Sequence, residues 1–307
     1  MSSLKEIKAR IASVGSTLKI TSAMKMVSSA KLRKVQNVIA GHQAYKSSLM
    51  DILSSLSGCL AQSGFAAGAA GSLSEGAASA GWTAEEGAPR GKVAIVAFSS
   101  STSLCGAFNS NIVRALQKEV ASLAADGSSV VVFPVGEKVA KAAYKEGYEV
   151  DNTYASIAAK GTFEDASSLA ERLMEGYRKG EFSRVLLIYT RYESAARQRI
   201  VKEDFLPVTG GWAEGAPDGN SAIAKEYIVE PSEKELFSQL MPLALHTQVY
   251  GTLLSSSASE HAARMIAMQT ATDNATDLLA ELQLTYNKQR QQAITEELTD
   301  ISNGKLV

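Results

Sequence analysis

The side chains that could do acid–base, nucleophilic or metal chemistry are few and scattered. Cys59 and Cys105 lie 46 positions apart with no CxxC. A thiolate nucleophile needs a nearby base, and no histidine follows Cys105 until His246, so a buried structural thiol is expected. His42, His246 and His261 are isolated, and none stands in HExxH. They are expected on surface or polar faces rather than as metal ligands. Glu296 and Glu297 are neighbours, so a helix points them to different faces, a poor arrangement for paired carboxylates. The apolar run KVAIVAF (92–98) is followed by SSSTSLCGAFNSN, with one glycine. Neither GxGxxG nor GxxxxGK[ST] occurs, which leaves dinucleotide binding and nucleotide hydrolysis unsupported. The expectation is a chain with no catalytic residues, no cofactor and no metal site of its own.

Charge points to contacts instead. The 307 residues carry 31 basic and 32 acidic side chains, a formal net charge of −1. That balance excludes a uniformly basic nucleic-acid coat and an acidic disordered tail. Residues 1–50 hold nine Lys/Arg and one acid, Glu6, whereas residues 255–307 hold four basic and seven acidic residues. The two ends are therefore expected to attract each other, weakly per exposed pair. Aromatic or Arg-rich interleaving of the kind that stacks on bases is missing, so no nucleic acid is expected as a partner. No apolar run approaches the length of a membrane span. The N-terminus lacks the apolar core of a secretory signal, and the sparse cysteines suit a reducing compartment.

Two long elements must position those contacts. Leu4, Ile7, Ile11, Val14 and Leu18 follow a 3-4 heptad spacing. A second stretch has Val35, Val38, Tyr45, Leu49, Ile52 and Leu56, with Met24 and Val27 bridging the two. One helix of about 55 residues, about 80 Å, is expected. Such a helix needs a partner. Residues 231–307 supply one: Leu245, Val249, Leu253, Met265, Met268, Leu278, Leu282, Ile294, Leu298 and Ile301 are its apolar positions. Pro242 marks a possible kink, and Ser255–Ser259 lets another backbone come close. In between, strands at 92–98, 129–135 and 184–190 alternate with helices at 109–125, 137–145 and 163–179. That pattern implies a mainly parallel sheet. The expected fold is an α/β domain, Rossmann-like, inserted between two long terminal helices that form an antiparallel coiled coil. Its expected parts are the helix at 1–58, an insert at 59–91, the α/β domain at 92–230 and the helix at 231–307. Positions 61–91 are Ala, Gly or Ser in 21 of 31 cases, which reads as a loop with Trp82 as its expected anchor, and 207–220 reads as a second loop.

The same residues resemble a known family. MSSLKEIKARIASVGSTLKITSAMKMVSSAKLRKVQ at the start and SEHAARMIAMQTATDNATDLLAELQLTYNKQRQQAITEEL (259–298) are similar to the γ subunits of F-type ATP synthases. LCGAFNSN (104–111) and the set Ile294, Thr295, Glu297, Asp300 and Gly304 fit the same family. Ser101, Thr102 and Ser103 depart from it, standing where Asp, Arg or Lys, and Gly are usual, and Lys305 stands where alanine is usual. The cysteine pair of the redox-regulated chloroplast relatives is not evident.

The resemblance implies a non-catalytic rotor shaft that couples ion flow through a membrane c ring to catalytic sites on β subunits. It implies a ring of three α and three β subunits, an ε subunit and the c ring as partners, with no small-molecule substrate. It also implies peripheral attachment to the cytoplasmic face of a bacterial inner membrane. The positions it marks as ring contacts are Met24, Lys25, Arg264, Arg290, Gln291, Thr295 and Glu297. Arg264 fits equally as a partner for Glu260 one turn away. Ile301, Leu306 and Val307 would suit an apolar bearing. The alternative is a coiled-coil scaffold with a nucleotide-binding α/β domain.

Overall fold

The computed structural model describes residues 4–60, 92–159, 161–208, 229–230 and 232–304. The expected insert at 61–91, Trp82, most of the 207–220 loop, and Lys305, Leu306 and Val307 lie outside the described residues.

Helix α1 spans Leu4–Leu60 and α5 spans Glu233–Gly304, 57 and 72 residues. At 1.5 Å per residue they run about 85 and about 110 Å. Between them come β1 (Lys92–Phe98), α2 (Phe108–Ala125), β2 (Val130–Val135), α3 (Glu137–Lys145) and β3 (Glu149–Val150), then α4 (Phe163–Arg178), β4 (Phe182–Tyr192) and β5 (Gln198–Leu206). α5 continues through Pro242, its tenth residue, where the missing N–H removes one i→i−4 hydrogen bond from the helix. α4 begins with a capping box: Asp165 N donates to Thr162 Oγ1, and Thr162 N donates back to Asp165 Oδ2.

The five strands lie in the order β3-β2-β1-β4-β5. The first four are parallel, and β5 returns antiparallel to β4. β3 and β5 were not foreseen from the sequence. One face of the sheet packs Val93, Ile95, Val132, Leu186 and Ile188 against α2 and α3. The other packs Ala94, Val96, Phe98, Phe133 and Leu187 against α4. The C-terminal end of α1 (Leu49, Leu53, Leu56) and the N-terminal part of α5 (Phe237, Leu245, Val249) join this second core. The feet of both long helices are therefore part of the domain core.

Candidate functional site

The helix pair is antiparallel, and its seam can be followed residue by residue. Gly15 faces Leu279. Thr272 Oγ1 donates to Thr21 Oγ1 at 2.9 Å. Leu32 packs on Ala258 and Ala262, and His42 Nε2 lies 3.0 Å from Thr247 O. The α1 positions turned inward are Leu4, Ile7, Ile11, Val14, Leu18, Thr21, Lys25, Ser28, Leu32, Val35, Ile39 and His42. That is one unbroken heptad track. The expectation from bulky side chains leaves this track between Leu18 and Val35 and again at Val38 and Tyr45, and rejoins its continuation at Leu49 and Leu56. Val27, Val38 and Tyr45 on α1 are exposed, as are Leu278, Ile294, Leu298 and Ile301 on α5. Small side chains line the middle of the seam. Ser28, Ala258 and Ala262 are buried there, whereas the equally buried Ser259 turns its hydroxyl to Thr190 O of β4.

The expected attraction between the two ends takes a different form. No ion pair between described residues joins α1 to α5. Instead Lys31 of α1 acts electrostatically on Glu260 and His261 of α5.

The proposed contact residues do not converge. Met24 and Lys25 are half-buried on α1, and Lys25 occupies a seam position. The register puts Lys25 level with Met268. Arg290 is 22 positions further along α5, about 33 Å at the helical rise. Arg290, Gln291, Thr295 and Glu297 are all exposed. Thr295 Oγ1 bonds only back to Gln291 O, at 2.9 Å. The same register brings Leu4 level with Gln289, and from Ile294 to Ser302 every described side chain is exposed.

Arg264 has its bonds inside the chain. It is 8% exposed. Nη1 donates to Glu260 Oε1 at 2.8 Å, and Nη2 donates to Thr102 Oγ1 at 2.7 Å and Ser103 O at 3.4 Å. Two of the positions that depart from the family pattern, Thr102 and Ser103, are thus the ones this guanidinium holds. Burial pushes the Glu260 carboxyl up, against the opposing pull of Arg264 and Lys31. Burial, then Arg264 and Lys31, push His261 down to about 4. All three histidines are half-buried, between the surface and the core. His42 sits in the seam, and His246 Nε2 and His261 Nδ1 are buried without a partner. Cys105 is buried, as expected, and accepts from Asn109 Nδ2 at 3.1 Å.

The end of β1 is the point where the strand order reverses, the usual ligand crevice of such a sheet. Here protein fills it. Val139 N donates to Ser99 Oγ and Lys138 N to Ser100 O, so the start of α3 is bonded to the chain itself. Arg264 holds the following loop. The nucleotide-binding alternative finds no support in this geometry.

A second network escaped the sequence reading. Tyr189 Oη donates to Glu203 Oε2 at 2.8 Å, and Gln248 Nε2 donates to Glu203 Oε1 at 3.0 Å, tying β4, β5 and α5 together. Burial and the Glu203 charge push Tyr189 up to about 12. No local pattern marks these residues, because their partners are distant in sequence.

Two outcomes follow. Arg264→Met leaves Glu260 buried without its cation and costs about 3–5 kcal/mol, read as a lowered urea midpoint. For His261 the lowered pKa means stability that is complete above pH 6.5 and is lost as pH falls from 6.5 toward about 4. His246 and His42 shift the same way. Glu260, raised, acts in the opposite sense, favouring the fold at low pH. The melting temperature of His261→Gln therefore falls less steeply than wild type between pH 6.5 and 4.

A family model described as ATP synthase matches residues 3–305. The "ATP synthase gamma chain" of Bacteroides thetaiotaomicron is 42% identical over 319 residues, covering 100% of both chains. That of Parabacteroides distasonis is 42% identical, covering 100% of this chain and 99% of its own. Among solved structures, a chain of the Euglena gracilis mitochondrial ATP synthase (OSCP/F1/c-ring) aligns with TM-score 0.57 at 17% identity, covering 98% of this chain and 92% of its own. A chain of the Tetrahymena thermophila mitochondrial ATP synthase (central stalk/c-ring) aligns with TM-score 0.51 at 23% identity, covering 82% and 99%. These structural likenesses speak for the fold. With the full-length sequence match and the helix–domain–helix order, they lead to one conclusion: the chain belongs to the ATP synthase gamma chain family.

Proposed function

We propose that the helix pair is the axle of a rotary ATP synthase, standing in a ring of three α and three β subunits. In this reading the α/β domain, with an ε subunit, grips the membrane c ring. The shaft is residues 1–58 and 231–307, and the domain is 92–230. The chain carries no catalytic site; the family's catalytic sites lie on β. Among the described residues no helix is long and apolar enough to cross a membrane. The complex would hold the chain at the cytoplasmic face of a bacterial inner membrane.

The observation that carries the reading is the asymmetry of the pair. α5 continues past the start of α1, with exposed Ile294, Leu298 and Ile301. At lower levels α1 presents exposed Ile20, Met26 and Val27 on a side of its own. A shaft with unlike sides meets each of three equivalent subunits differently. Each contact favours a different conformation of its neighbour, and turning the shaft exchanges them. Non-directional apolar contacts at the tip suit a surface that slides. Met24 and Lys25 are assigned to the ring at the level of the α1 contacts, and Arg290, Gln291, Thr295 and Glu297 near the tip. Arg and Gln offer several directional donors there. Arg264, bonded inside the chain, acts by fixing the loop at 102–103.

Co-purification tests this. The chain comes down with α and β subunits at one copy per three of each; an equimolar ratio, or none, overturns the reading. Met24→Lys adds a charge at the ring contact. It lowers ion-driven ATP synthesis more than ATP hydrolysis, measured on membrane vesicles, and an equal loss of both removes the assignment.

A further inference from the structure

β4 outruns its parallel neighbour. The last β1–β4 pair is Ala97 with Ile188, yet β4 continues to Tyr192, paired there only with β5. On the side that β1 has vacated, the backbone groups of Thr190 and Tyr192 point toward α5. Backbone groups buried this way must find partners. α5 provides them: Tyr192 N donates to Ser255 Oγ at 2.9 Å, and Ser259 Oγ donates to Thr190 O at 3.1 Å. The spacing matches, since four helical residues rise about 6.0 Å and two strand residues about 6.7 Å. Two serines one turn apart thus continue the sheet's ladder in place of a strand. Gln36 of α1 completes the attachment, its Nε2 donating to Tyr192 Oη at 2.7 Å. Ser259 is fully buried and Thr190 is nearly so.

We propose that this ladder, Ser255 and Ser259 on the end of β4 with Gln36 on Tyr192, is the torsional joint that passes rotation from the α/β domain to both helices. The inference rests on the axle reading above. The apolar core beneath the joint holds the helices against the sheet but is non-directional. Hydrogen bonds from a strand end to two helices fix the rotational setting. The four side chains are positioning residues, not ring contacts.

The test uses the complete assembled complex, with the shaft tip held in the αβ ring and a bead fixed to the α/β domain. Ser255→Ala/Ser259→Ala keeps good helix formers and removes both hydroxyls. The bead's angular spread widens and ion-driven synthesis under load falls, while unloaded ATP hydrolysis is unchanged. Ser255→Thr, which keeps its hydroxyl, restores the narrower spread when placed on Ser259→Ala. Tyr192→Phe removes one hydroxyl and decides the matter if the double variant does not assemble. An assembled variant with wild-type spread and wild-type synthesis overturns the joint alone. A wild-type bead that does not turn during hydrolysis overturns the axle reading and the joint with it.

Discussion

Close approach of two very long helices is the constraint from which the rest of the molecule follows. Neither α1 nor α5 has an apolar face broad enough to stand alone. The seam between them is narrow, and in its middle it is lined by serine, threonine and alanine rather than leucine. Dispersion contacts among small side chains, with the Thr21–Thr272 bond, take the place of bulk apolar burial there. The strip that remains is enough because the feet of both helices are also built into the core of the α/β domain.

That arrangement explains why the globular part departs from a ligand-binding α/β fold while keeping its sheet. The C-terminal edge, where such folds commonly hold a phosphate or cofactor, is closed by Arg264, Ser255 and Ser259 of α5. The buried Glu260–Arg264 pair is costly in isolation, but Thr102 and Ser103 satisfy the guanidinium. The surface left open is that of the paired helices.

The sequence made the large elements legible because their signals were strong. Heptad spacing from Leu4 to Leu18 and a chain of similar character after residue 231 implied the coiled coil, and apolar runs implied β1, β2 and β4. β3 escaped because it is two residues long, and β5 because QRIVKEDFL has no two-residue apolar alternation and carries Lys202, Glu203 and Asp204 in succession at a half-exposed edge. The seam beyond Leu18 was misread for a physical reason. Thr21, Lys25, Ser28 and His42 occupy inward positions, while the more hydrophobic Val27, Val38 and Tyr45 face outward. Arg264 could be placed on α5 from sequence, but its bond to Thr102, 162 residues earlier, could not. The resemblance supplied the role of the chain; the internal bonding came only with the fold.

The Thr21–Thr272 bond has a consequence of its own. It adds a polar mark, high on the shaft, to a register that the feet of both helices already fix in the domain core. A slip of one repeat, about 10.5 Å, would break this bond and leave each hydroxyl to its own helix, where Thr21 Oγ1 reaches Leu18 O and Thr272 Oγ1 reaches Met268 O. The polar pair and the embedded feet together index the two strands of the cable, giving every copy the same phase between its two ends.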